Sequence, residues 1–389
     1  MSQLSVTRPL PLERLQLSAE LDGTNGTNRN TGNGLLIEAQ NDLEALNSWL
    51  EEFKDSPQTY RNYRKEIERL LLWSLLVLNK PFSSLNRDDL REYEKFLASP
   101  TPTDQWCGPR RPRHSKEWRP FLGPLSESSR HQALVVIGAA FGYLSDAGYL
   151  LGNPVKLLRR KQAKSTNKNT VERFLEQGLW QYVWNFIEGL PEQQLREREH
   201  KARIRFLFHL LYLLGPRVSE VANLQMSDFR ESRGKWWCYI LGKGNKRDKV
   251  PVNESMLSAL IDYRRFLDLP DLPSLEESTP AIRSLKGRQG ISSNMIYRIV
   301  KNIFTNAANS LEANKPEQAY KLRKASTHWM RHTAMTHLAD RGIDLHHIRQ
   351  TARHNDINTT SRYLHADEDL WHESISSHVL ANNKNTKLV

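Results

Sequence analysis

Gly215-Pro216-Arg217-Val218-Ser219-Glu220, then His328-Trp329-Met330-Arg331-His332, then His354 and Tyr363 nine residues apart, are the stretches that decide how this chain is read. They supply two arginines, two histidines and one tyrosine suited to a single phosphate. A phosphodiester under attack gathers charge on its non-bridging oxygens, and guanidinium forks meet that charge with paired, permanently protonated donors. Imidazoles donate further hydrogen bonds or carry protons near neutral pH. A tyrosine hydroxyl becomes a nucleophile once such neighbours favour its phenolate, and then holds the phosphoryl group covalently.

Outward from these stretches the pattern is mostly helical. Ile204 to Leu214, Val218 to Leu224, Ser255 to Leu267, Asn294 to Asn306, Met330 to Asp340 and Leu345 to Ala352 all read as helices. Gly215 is placed to close one helix and Pro216 to open the next, since proline costs nothing in a first turn. Trp236 to Leu241 and Lys249 to Val252 read as strands around the Gly242-Lys243-Gly244-Asn245-Lys246 turn, a hairpin signal. Earlier, Leu43, Leu46, Trp49, Leu50 and Phe53 recur at helical spacing, Ser56-Pro57 opens a second helix to about Leu78, and Asp88 to Leu97 and Ser128 to Ala147 add two more.

Taken in order, these motifs resemble the tyrosine recombinase (phage integrase) family, and within it the Xer-like recombinases. The family's Gly-x-Arg-x-Ser-Glu-x-x-x-Leu stretch is matched by Gly215 to Leu224, its lysine turn by Gly242 to Lys246, its His-x-x-Arg-His box by His328 to His332, and its late histidine and tyrosine by His354 and Tyr363. The chain departs from the family at Pro216, usually an apolar residue, and at Ala352-Arg353-His354, where the family has Leu-Gly-His. The resemblance implies Arg217, Lys243, His328, Arg331, His354 and Tyr363 as catalytic residues, with Tyr363 the nucleophile and Lys243 the general acid. It implies a mainly α fold with a small antiparallel β-sheet, arranged as a two-domain DNA clamp: a helical core-binding domain and a tyrosine-recombinase catalytic domain. It also implies double-stranded DNA as partner, a tetramer on two DNA sites, a Holliday-junction pathway, and a helix around Tyr297, Arg298 and Lys301 that enters the major groove. No cofactor and no metal are expected. His328 and His332 stand four apart, but no His-Glu-x-x-His and no carboxylate-rich set accompanies them. Two rivals are a type IB topoisomerase-like enzyme and a non-catalytic DNA-binding accessory protein.

Composition points the same way. The 389 residues carry a formal charge of +12 with 38% hydrophobic residues, enough for real cores and biased toward a polyanionic partner. Seven Lys/Arg against one acidic residue lie between Lys156 and Arg173, among them Arg159, Arg160 and Lys161, and five against one lie between Gly108 and Arg119. Such clusters neutralise DNA phosphates and release counterions. Lys246 and Arg247, beside the lysine turn, are further candidate phosphate contacts. Cys107 and Cys238 are the only cysteines, which excludes a disulfide framework and fits a reducing cytoplasm. The longest apolar runs are too short to span a bilayer.

The domain reading is a flexible tail over 1–40, where Asp22 to Gly34 is almost wholly Gly, Asn and Thr, a helical DNA-binding domain over 41–155, a basic linker over 156–170, and a catalytic domain over 171–389. The linker is either a tether or a strap along the phosphate backbone. The Pro- and Arg-rich stretch from Pro100 to Pro124 is either a DNA contact or a solvated insertion. Trp371, Ile375 and Val379 fall four apart, an apolar stripe that is buried either on its own domain or, as the resemblance implies, on a neighbouring protomer.

Overall fold

A computed structural model describes residues 8–32, 34–158, 173–242 and 246–353. The chain divides into two compact units, Met1–Thr166 and Asn167–Val389.

The first unit is a helical bundle of α1 (Asp42–Glu51), α2 (Pro57–Trp73, running on through a π-turn at Ser74–Leu78), α3 (Arg87–Ala98), a short α4 (Thr103–Trp106) and α5 (Glu127–Asp146). Polar caps start these helices. The Asn41 side chain accepts from Glu44 N–H, Asn86 and Asp89 form a reciprocal capping box, and Ser126 accepts from Ser129 N–H. The core holds Trp49, Leu70, Trp73, Phe82, Tyr93, Ile137 and Phe141, with the Phe82 and Phe141 rings stacked 4.4 Å apart.

Two expectations about this unit are corrected. Described residues before position 41 are not a free tail, because Leu12, Leu15 and Ala39 are buried in the bundle core. Polar groups fix the rest of the segment. Leu12 N–H donates to Glu68 (2.8 Å), Asn30 N–H to the Tyr149 carbonyl (3.0 Å), and the Arg29 guanidinium lies 3.4 Å over the Tyr149 ring. The 100–124 stretch is not a wholly solvated insertion: Trp106, Trp118 and Phe121 anchor it in the core, while residues 109–112 remain exposed. Its Arg113 reaches Glu13 through Nε (2.7 Å) and Glu68 through Nη1 (3.0 Å), pinning the N-terminal segment and the loop to α2 together.

The second unit is mainly helical with one three-stranded antiparallel sheet in the order β1-β2-β3. Its helices are α6 (Gln177–Glu188), α7 (Leu195–His209, continued by a π-turn at Leu210–Leu214), α8 (Val218–Asn223), α9 (Glu254–Phe266), α10 (Ser293–Leu311), α11 (Pro316–Lys324), α12 (Thr327–Asp340) and α13 (Leu345–Ala352). The strands are β1 (Phe229–Ser232), β2 (Lys235–Leu241) and β3 (Arg247–Pro251). β2 and β3 pair from Trp237↔Pro251 to Leu241↔Arg247. β1 is an addition to the two expected strands. It joins β2 through Arg233 and Gly234, both at positive φ (54° and 69°), the backbone of a two-residue hairpin turn. Phe206, Phe208, Leu211, Ile240, Leu260, Val300 and Phe304 form the core. Gly215 closes α7 in the left-handed region at φ 55° as expected, but α8 starts at Val218, not at Pro216. Arg217, extended at φ −73°, ψ 152°, is its N-cap residue.

Candidate active site

The turn from α7 into α8 sets out the first arginine. Glu220, in the first turn of α8, reaches back to accept the Arg217 backbone N–H (2.6 Å) and its Nη1 (2.8 Å). The Arg217 side chain remains about half exposed, 48% by area, so most of its donors stay available to a ligand.

The second arginine comes from α12. His328, Arg331 and His332 are three and four residues apart and so share one side of the helix. Arg331 is buried, and its guanidinium donates to the Gly215 carbonyl (2.6 Å) and to the Ala352 carbonyl. One side chain thus ties the α7–α8 corner to the end of α13. His328 and His332 approach with their Nε2 atoms 2.8 Å apart and their rings near perpendicular, a pairing that needs one ring to donate and the other to accept. Partial burial, then the Arg331, Arg173 and Arg217 guanidiniums, push the His328 pKa below the ordinary histidine value. His328, Arg217 and Arg331 therefore lie within one electrostatic neighbourhood.

Beside them the end of the β2–β3 hairpin and α13 enclose a cleft lined by Trp237, Lys246, Lys249, His346, Gln350 and Arg353 among others. The Lys249 ammonium lies 4.3 Å over the Trp237 ring. Gly242 N–H donates to the Lys246 carbonyl (2.8 Å), closing the turn.

The remaining sequence candidates fall as follows. Lys246 is exposed, and Arg247 pairs loosely with Asp228 (3.3 Å) while keeping half its side chain in solvent. Tyr297 and Arg298 are exposed on α10. Lys301, on the same helix, turns its ammonium to the carbonyls of Arg323 and Ala325 and caps the end of α11. Lys156 is exposed in the last described turn of the first unit. Arg159, Arg160, Lys161, Lys243, His354 and Tyr363, with the Trp371 stripe, lie outside the described residues. Among the described residues no three His, Cys, Asp or Glu side chains group as metal ligands, and no helix is long and apolar enough to cross a membrane.

Sequence reading missed two participants: the Gly215 carbonyl and Arg353. The carbonyl leaves no trace in a one-dimensional motif. Arg353 was visible as an arginine where the family has glycine.

Comparisons with known proteins agree with this architecture. The model of the phage integrase family matches residues 192–369. The tyrosine recombinase XerD of Rhizobium meliloti (strain 1021) is 30% identical over 180 residues, 46% of this chain and 52% of that protein. The XerC recombinase of Thermodesulfovibrio yellowstonii is 28% identical over 250 residues, covering 64% and 74%. The chain thus spans about half the length of the first of these relatives and about three quarters of the second. In fold it is similar to the XerH site-specific recombinase in a post-cleavage complex with palindromic difH substrate, with a TM-score of 0.58 at 18% identity over 88% of this chain and 90% of that one. It is also similar to the Tn1549 transposon integrase in complex with transposon right-end DNA, with a TM-score of 0.56 at 16% identity over 85% and 98%. Residues 192–369 thus match the phage integrase family, and the curated relatives that the chain resembles are Xer-type tyrosine recombinases.

Proposed function

We propose that this protein is a site-specific DNA recombinase that cuts and rejoins strands through a 3′-phosphotyrosyl intermediate. The observation that carries this reading is the meeting of Arg217, from the α7–α8 corner, with His328 and Arg331, from α12, beside a lysine-lined cleft. Such a set stabilises the extra negative charge of a phosphorane-like transition state, a role worth several kcal/mol.

In this reading the Tyr363 oxygen attacks the scissile phosphorus and the bond from phosphorus to the 5′ oxygen breaks. The tyrosine proton passes to a nearby base, and Lys243 donates a proton to the leaving 5′ oxygen. The bond energy is kept in the protein–DNA ester, so no ATP is needed, and the arginines with Lys243 supply the positive charge that metal ions provide in two-metal nucleases. The 5′-hydroxyl of a second duplex then displaces the tyrosine. Two such exchanges, by four protomers on two duplexes, pass through a Holliday junction and give integration, excision or resolution. Residues 41–155 and 171–389 act as the halves of a clamp joined by the basic 156–170 strap, with Tyr297 and Arg298 toward the major groove.

The test uses a nicked duplex bearing a sequence selected from random-sequence DNA by the purified protein. A covalent adduct on denaturing gels that persists in EDTA and disappears in Tyr363→Phe, with binding unchanged, supports the reading. An adduct that survives Tyr363→Phe overturns the assignment of the nucleophile. Failure to exchange strands between two labelled duplexes, with relaxation of a supercoiled one, favours topoisomerase action. Binding without any adduct favours an accessory DNA-binding protein.

A further inference from the structure

Arg353 ends α13 in the left-handed region, at φ 52° and ψ 48°. Residues with a Cβ are strained there, and glycine is the usual occupant of a helix end of this kind. Nothing about the turn itself calls for an arginine.

Its side chain supplies the reason. Only 3% of it is exposed, and Nη2 donates to Glu220 Oε2 at 2.7 Å, with the Gly215 carbonyl 3.4 Å away. Nη1 donates to the Thr351 carbonyl at 2.8 Å, while the buried Nε–H has no partner among the described residues. Glu220 is equally buried, and its two oxygens are divided: Oε1 accepts from Arg217 Nη1, and Oε2 takes the Arg217 backbone N–H and Arg353. Burial alone would raise the Glu220 carboxyl, but the Arg353 and Arg217 guanidiniums and the Arg217 N–H outweigh it and hold its pKa below the ordinary value.

We propose that Arg353 is a positioning residue: by taking one side of Glu220 it leaves Arg217 held by a single side-chain hydrogen bond, with its remaining donors turned to the phosphate. This rests on the recombinase reading above. A buried carboxylate that loses one of two guanidinium partners draws the other in more tightly. Without Arg353, Arg217 closes on Glu220 with both arms of its fork and is withdrawn from the substrate. Arg353 also shares the Gly215 carbonyl with Arg331, so the same side chain keeps the two phosphate-binding arginines in register with the end of α13.

The experiment compares wild type, Arg353→Gly, Arg353→Lys and the double variant Arg353→Gly/Glu220→Gln on the selected nicked duplex. Glycine accepts the left-handed turn without strain, so the backbone is spared, and melting curves confirm folding. Adduct formation in Arg353→Gly is expected to fall by about tenfold or more while duplex affinity stays within about threefold, as for a group acting in the transition state. Lysine, with charge but no fork, is expected to lie between. The double variant should recover at least about threefold over Arg353→Gly, because the neutral amide of Glu220→Gln no longer draws Arg217 inward. Wild-type cleavage by Arg353→Gly, or a double variant no faster than the single one, overturns the proposal. If wild type forms no adduct, the recombinase reading fails instead, and the network is read by NMR. An Arg217 Nε–H signal that shifts in Arg353→Gly and returns with Glu220→Gln supports it, and one that neither substitution moves overturns it.

Discussion

At the scale of single residues the site is a problem of packing like charges. Arg217, Arg331 and Arg353 crowd one corner, and among the described residues the carboxylate of Glu220 and three backbone carbonyls, from Gly215, Thr351 and Ala352, accept from them. Burial first, and then the cationic surroundings, depress the His328 pKa and so favour the neutral imidazole, which can share one proton with His332. A histidine depressed on folding contributes stability that is fully present above its unfolded value of about 6.5 and is lost as pH falls through the folded value. We therefore expect the His328 ring resonances to titrate with a midpoint below 6.5. A midpoint above it would mean that a carboxylate, not burial and the arginines, governs this ring. Arg217, His328 and Arg331 were legible in the sequence because each lies in a short motif whose spacing survives folding. The role of Arg353 was not, because its partner Glu220 is 133 residues away and only tertiary structure brings them together.

At the scale of elements, Gly215 is the hinge on which the site turns. Its left-handed φ of 55° reverses the chain between α7 and α8, and a Cβ there would meet the Met335 methyl at 2.6 Å. Gly215→Ala is expected to cost about 1–3 kcal/mol from backbone strain, with Met335 displaced, and to move the carbonyl that Arg331 and Arg353 share. Urea unfolding measures the first effect and adduct yield the second. The long periodic helices were legible, as were β2 and β3 around a glycine turn. β1 was not, because Arg233-Gly234 is a weaker turn signal than Asn-Gly and the strand has only four residues. The N-terminal segment escaped for a different reason. Its anchors are isolated leucines, asparagine side chains and Glu13, which show no periodicity. Deleting residues 1–40 removes the buried Leu12 and Leu15, each worth about 1.5–3 kcal/mol, along with the Glu13–Arg113 pair. The truncated chain should melt earlier in its first unit, and a melting curve identical to that of the full chain would contradict this.

At the scale of the whole molecule, the two units should respond to acid in opposite directions. In the first, burial pushes Asp42 up to about 6, against hydrogen bonds from Ser83 and Tyr149 that favour the anion. A carboxyl raised on folding binds its proton more readily in the native state, so stability rises as pH falls from about 6 toward 3.8, by about 2 kcal/mol at pH 4.5. Glu13, held down at about 2 by Arg113, opposes this only below about pH 4.5. In the second unit burial depresses His200, His209, His328 and His337, and each loses stability as pH falls below about 6.5. Hydrogen exchange corrected for intrinsic rates should show α2 better protected at pH 5 than at pH 7, and α7 and α12 less protected. Parallel changes in both units would contradict the assignment of these buried groups.

The seam between the N-terminal segment and the end of α5 has a temporal consequence. Asn28 accepts Leu151 N–H on its carbonyl (2.9 Å), and its side chain exchanges two hydrogen bonds with the Gly152 backbone, 124 residues later. Asn28 therefore waits for nearly the last strip of its unit before these three hydrogen bonds can form. Closing so long a loop is slow relative to local helix formation, so α1 to α3 form beneath an uncovered flank. During synthesis that flank, with Tyr149 and its neighbours still to come, is the surface a chaperone would meet, and the seam is the last feature of the unit to be sewn.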